Sequence, residues 1–218
     1  MFVKICGVTT EEDALLAVAM GADAVGFLFA PSTRQIAPNR ARDIASRLPP
    51  EIVTVGVFRD EAPERVTKIV GEAGLRAAQL HGHETPEDAR WVGERVPMLI
   101  CAFAAGDPAL DHVDDYGADA ILIDSAVPGS GQVFDWSLAE GAPSGRNVIL
   151  AGGLDPDNVA GAIERVGPGG GDVSTGVESD PGRKDARLVR AFIHAARAAE
   201  KPAYETVGDL PYDWQDDQ

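Results

Sequence analysis

Phe2-Val3-Lys4-Ile5-Cys6-Gly7, running straight into Val8-Thr9-Thr10-Glu11-Glu12, decides how the rest of the chain is read. Its first part is a short apolar run rich in β-branched residues and closed by glycine, which reads as a strand. Thr9 with Glu12 three residues later reads as a capping box that opens a helix. Side chains alternate across a strand, so Val3 and Ile5 share one face while Lys4 and Cys6 share the other. If the apolar pair packs under helices, the ammonium and the thiol point into whatever the sheet encloses.

The same unit recurs. Strand-like runs stand at 3–6, 24–29, 52–58, 77–80, 98–103, 120–123, 147–150 and 172–174, with starts about 20 to 28 residues apart. Thr85-Pro86 and Asp155-Pro156 place a cap residue before a proline at a first helical position. Gly21, Gly74 and Gly117 follow helical patterns, where a left-handed glycine ends a helix. A last helix is expected over 187–199. Strand–helix alternation implies parallel strands with right-handed crossovers. Eight units in about 200 residues suit the compact end of the (β/α)8 TIM-barrel range. The first turn, Gly7-Val8-Thr9, lacks the G-x-G-x-x-G fingerprint, which disfavours an open dinucleotide-binding sheet. The expectation is one α/β barrel domain over 1–202 and an acidic tail over 203–218, in which Tyr212 and Trp214 could dock.

Composition narrows the partners. With 35 acidic and 19 basic residues, the net charge is −16, a surface that repels nucleic acid and anionic membranes. Only four residues are lysine. The simplest reading is the solvation shell of a salt-adapted protein. No run reaches the roughly 18 apolar residues of a membrane span, and no signal peptide is evident at the N-terminus. Two cysteines, Cys6 and Cys101, are too few for a disulfide framework, which suits a reducing cytoplasm. No His/Cys/Asp cluster has metal-ligand spacing, so no metal is expected. Monomer and homodimer are both compatible with the sequence.

A barrel's active site lies at the C-terminal ends of its strands. Strand one ends in Cys6 and strand six in Asp124, three steps apart around a closed ring, so the two would face each other across the mouth as an acid–base pair. A buried cysteine is more often a small hydrophobe. Lys4 is expected to lower the thiol pKa, with Asp172 on the neighbouring strand as its partner. Gly152-Gly153 after strand seven and Ser174-Thr175-Gly176 after strand eight form a phosphate signal, since glycines let backbone N–H groups approach an anion. Arg34, in a mobile-looking loop of Ser, Thr and Pro, could clamp a carboxylate, although a solvated arginine fits equally. His81 ends strand four.

The ordered set Lys4-Ile5-Cys6-Gly7, Gly26-Phe27-Leu28-Phe29 with Arg34 downstream, Val55-Gly56-Val57-Phe58, Gln79-Leu80-His81-Gly82-His83-Glu84, Phe134-Asp135-Trp136, Leu150-Ala151-Gly152-Gly153-Leu154 and Asp172-Val173-Ser174-Thr175-Gly176-Val177-Glu178 resembles the phosphoribosylanthranilate isomerase family. The resemblance implies a (β/α)8 barrel and a cofactor-free Amadori rearrangement of a small phosphorylated aminoaldose in tryptophan biosynthesis. It implies Cys6 as general base and Asp124 as general acid. Arg34 would bind the anthranilate moiety, with His81 and Asp172 lining the site and the glycine loops holding phosphate. Two positions depart from the family pattern: Gln132 stands where a lysine is common, and Gln35 where an aromatic is common. A related phosphoribosyl aminoaldose isomerase of histidine biosynthesis would end strand one in Asp rather than Cys. A non-catalytic phosphate-binding barrel would keep Gly152, Gly153 and Ser174 without needing Cys6 and Asp124 together.

Overall fold

In the computed structural model, residues 1–125 and 147–200 are described. The motif Phe134-Asp135-Trp136, the departure at Gln132 and the acidic tail lie outside them. The described strands are β1 (Phe2–Ile5), β2 (Ala24–Leu28), β3 (Val53–Phe58), β4 (Ala77–Leu80), β5 (Leu99–Ala104), β6 (Ala120–Asp124), β7 (Asn147–Leu150) and β8 (Gly170–Val173). They pair in sequence order, all parallel, and β8 closes on β1 with Lys4 opposite Asp172. Helices α1 (Glu11–Ala19), α2 (Pro38–Ala45), α3 (Pro63–Ala73), α4 (Pro86–Gly93), α5 (Val159–Val166) and α6 (Ala186–Ala198) cover the outside. A short antiparallel pair, β9 (Glu178–Asp180) and β10 (Arg183–Lys184), follows β8.

The strand period sorts the core into two layers. Val3, Ile5, Val25, Phe27 and Ile121 face outward into the cluster shared with the helices. Cys6, Ala24, Val55, Val57, Ile100, Leu122 and Ile149 fill the barrel interior. A parallel sheet buried on both faces needs apolar residues in both registers, and the polar exceptions in the interior register are therefore informative: Lys4, Gln79, Asp124 and Asp172 are all buried.

Two of the three helix start signals sit away from where the sequence suggests. Helix α1 is capped by Thr10, whose hydroxyl accepts the Asp13 N–H at 3.1 Å. Thr9 instead donates to the Gly182 carbonyl at 2.9 Å, because the loop after β1 must reach the β9–β10 pair before the helix can begin. Asp155 does not cap α5. It accepts the N–H groups of Asp157 and Asn158, closing a turn, and the helix starts only after Asn158. Thr85 does cap α4, with Pro86 at the first position and Asp88 completing the box. The segment Pro108–Tyr116 between β5 and β6 winds as 3-10 helix rather than α-helix. Strand β8 stops at Val173, a residue earlier than expected, because Ser174 (φ −124°, ψ −79°) leaves the strand to enter the turn Thr175–Val177.

Candidate active site

The C-terminal strand ends open into a cavity of about 210 Å³ lined by Cys6, Arg34, Gln79, His81, Asp124, Asp172, Ser174 and Thr175, among others. Beside it lies a smaller one of about 140 Å³, lined by Gly152, Gly153, Asp155, Ser174, Thr175 and Gly176. Asp124, Asp172, Ser174 and Thr175 belong to both. The expected acid–base, carboxylate-binding and phosphate-binding residues, from Cys6 and Arg34 through His81 and Asp124 to the glycine loops, therefore share one continuous rim. That outcome follows from parallel strands, which all end on the same side of the ring.

Cys6 is buried immediately beyond the end of β1. Its N–H donates to the Val173 carbonyl at 2.8 Å, which ties it to β8. Beneath it, the fully buried Lys4 ammonium bonds Asp172 Oδ1 at 2.9 Å. Burial pulls the Lys4 pKa down, but Asp172 and then Cys6 outweigh it and leave the ammonium above its ordinary range. Lys4 does act to lower the Cys6 thiol pKa, as expected, but burial is the larger cause and Asp172 adds to it, so the thiol ends above its ordinary range. Cys101 faces the helix layer, where burial and then Glu84 push its thiol up to about 12.

Gly26 supplies the space for this pair. A Cβ there would stand 2.8 Å from Cys6 Sγ and 3.2 Å from Lys4 Nζ. Neither neighbour can move freely inside a packed barrel. Gly26→Ala is expected to lower turnover on the order of tenfold through displacement of the thiol, with the far-ultraviolet dichroism of the wild type kept. Turnover equal to wild type would show that the thiol has room to shift harmlessly.

Asp124 closes the opposite side. Its Oδ1 accepts the Ser125 N–H at 2.7 Å. Its Oδ2 lies 3.2 Å from His81 Nε2, near enough to attract and out of line for a hydrogen bond. Gln79, also buried, lies with its side-chain nitrogen 2.9 Å from His81 Nδ1. The ring thus bonds the Gln79 amide on one side and faces the Asp124 carboxylate on the other. Gln79 has no chemical signature in the sequence beyond its place two residues before His81 on the same strand face.

The glycine loops are shaped by close approach. Gly152 (φ +87°) passes so near β6 that a Cβ would be 2.5 Å from Ser125 N, and one on Gly176 would be 2.0 Å from the Leu154 carbonyl. Only glycine fits either place.

Arg34 departs from the picture of a loose loop. Glu178 accepts from its Nε at 2.8 Å and from its Nη2 at 2.7 Å, and Thr175 Oγ1 lies 3.3 Å from Nη2. Glu178 also accepts from Lys184 Nζ at 2.9 Å, and Lys184 reaches the Ser174 carbonyl at 3.1 Å. Sequence reasoning quoted Glu178 only as the end of a motif and passed over Lys184. Its one available signal was rarity, since only four residues of the chain are lysine.

A family model, N-(5'phosphoribosyl)anthranilate (PRA) isomerase, matches residues 3–195. A relative from Desulforudis audaxviator bearing the name N-(5'-phosphoribosyl)anthranilate isomerase is 50% identical over 204 residues, covering 90% of this chain and 98% of its own. The crystal structure of phosphoribosyl anthranilate isomerase from Thermus thermophilus superimposes with a TM-score of 0.85 at 45% identity, over 91% of this chain and 99% of that one. A further phosphoribosyl anthranilate isomerase structure, in complex with reduced 1-(o-carboxyphenylamino)-1-deoxyribulose 5-phosphate, is similar with a TM-score of 0.80 at 40% identity, over 91% and 99% of the two chains.

Proposed function

The chain belongs to the N-(5'-phosphoribosyl)anthranilate isomerase family, the aldose–ketose isomerases of tryptophan biosynthesis, and from that membership we propose how its own residues divide the reaction. Asp124 protonates the furanose ring oxygen as the anthranilate nitrogen's lone pair pushes the ring open to an iminium. The Cys6 thiolate then takes the C2 proton, and the C–H electrons flow toward the iminium nitrogen to give the enol-amine that becomes the ketose. The observation that carries this division is that Cys6 and Asp124 line one cavity from strands three steps apart in the ring. A substrate between them meets a base on one side and an acid on the other.

The phosphate rests on the backbone of Gly152, Gly153, Ser174, Thr175 and Gly176, where the smaller cavity adjoins the larger. Arg34 binds the anthranilate carboxylate, with His81 and Asp172 along the wall. Both cysteines are free thiols, and a base that works as a thiolate needs a reducing compartment, so the site of action is the cytoplasm. No helix among the described residues is long and apolar enough to cross a membrane.

The direct test is the time-dependent loss of fluorescence of N-(5-phosphoribosyl)anthranilate, run beside the histidine-pathway aminoaldose. Turnover of the first and not the second is expected. Preference for the second would return the function to the related isomerase.

The acidic surface is read as salt adaptation. At a net charge of −16, self-repulsion weakens as ions screen it, with a Debye length falling to about 3 Å at 1 M. The melting temperature is expected to climb between 0.1 and 2 M KCl (concentrations of about that span). A flat or falling curve would remove the adaptation from the account.

A further inference from the structure

We propose that Glu178 is a positioning residue: held by Lys184, it fixes the Arg34 guanidinium so that the site prefers a substrate bearing a carboxylate. This rests on the reading that Arg34 meets the anthranilate carboxylate.

The geometry is that of a bracket. Glu178 and Lys184 pair across the short sheet β9–β10, which is set between β8 and α6. Their side chains are 3% and 0% exposed, so the ion pair is out of water. Lys184 also donates to the Ser174 carbonyl, which anchors the bracket to the rim of the barrel. From that anchor the carboxylate takes the Nε and Nη2 hydrogens of Arg34 as a fork. A planar guanidinium has a second edge, formed by Nη1 and Nη2, that can receive another carboxylate in the same bidentate way. One edge is thus spent on position; on the other, Nη2 meets only the Thr175 hydroxyl at 3.3 Å, a contact that a ligand carboxylate would replace.

Two further features keep the arginine in place. Its stem crosses directly over Gly7 (φ +74°), where a Cβ would come within 2.6 Å of Arg34 Cδ. Thr9 bonds the Gly182 carbonyl at the tip of the β9–β10 pair. The loops after strands one, two and eight are therefore joined through Arg34, Glu178 and Lys184. A free arginine loses rotamer freedom when it binds, and one already held loses less. Within the bracket itself, one carboxylate serves two cations, Lys184 and Arg34.

The test compares two non-isomerising probes in binding to the full chain. One is a reduced product analogue carrying the anthranilate carboxylate. The other is the same molecule with a plain phenyl ring. The ratio of their dissociation constants reads carboxylate preference, and the phenyl probe alone reports an intact site. Arg34→Ala is expected to bring the ratio close to one. Glu178→Gln is expected to reduce it about tenfold while phenyl-probe affinity and kcat stay within about threefold of wild type. Because Glu178→Gln leaves Lys184 buried without its counter-ion and can cost folding, Glu178→Gln/Lys184→Met replaces the pair together and should show the same reduced ratio. If Arg34→Ala lowers the ratio but both Glu178 variants keep or raise it, the positioning role is overturned and the Arg34 reading stands. If Arg34→Ala itself keeps the ratio, both fall.

Discussion

Cys6→Ala is expected to lower kcat by a factor on the order of 10² or more, with KM close to wild type. Alanine removes the only group at the end of β1 able to take the C2 proton, and it removes little that touches substrate elsewhere. The packing cost is small, because the lost atom faces the cavity as well as the interior. Without a thiol, the rise of activity with pH that thiolate formation gives should disappear, which separates a lost base from a disturbed wall. Cys6→Ser should not restore turnover, since burial that pushes a thiol up leaves an alcohol still further from ionising. Near-normal turnover in Cys6→Ala would remove the residue from the chemistry.

Asp124→Asn is the mirror experiment, with an expected loss in kcat again on the order of 10² or more. Asparagine keeps the shape and an oxygen for the Ser125 N–H, so the β6 terminus has no reason to move. It cannot deliver a proton to the ring oxygen. Its residual activity depends on the thiolate, and because the Cys6 thiol is held above its ordinary range by burial, that activity should rise through the alkaline range. An alkaline rise kept in Asp124→Asn and lost in Cys6→Ala would assign the base to Cys6. The same pH profile in both variants would mean that the thiol titration does not belong where it has been placed.

The chain made much of this legible without coordinates. The period-two alternation in Phe2-Val3-Lys4-Ile5-Cys6 predicts which side chains face inward, and Val3 and Ile5 do lie in the helix-facing layer while Cys6 lies in the interior cluster. Repetition of the strand–helix unit predicts parallel strands, and the pairing of Lys4 with Asp172 is the register that closure requires. Local start signals were less secure. Thr9 and Thr10 offer the same hydroxyl one residue apart, and the choice between them is made by Gly182, far away in sequence.

What the sequence by itself determined is therefore the ring and the membership of its rim: residue types and their spacing set which side chains stand at strand ends, because backbone periodicity is a local property. Only the tertiary structure decided the electrostatics of that rim. How far burial outweighs Lys4 at the thiol, and whether Arg34 is loose or gripped by Glu178 and Lys184, depends on which charges meet after burial. Those outcomes are set by distances of a few ångströms between segments far apart in the chain, such as the 144 residues separating Arg34 from Glu178. No local pattern encodes such a distance, since desolvation and Coulomb attraction act through space rather than along the chain.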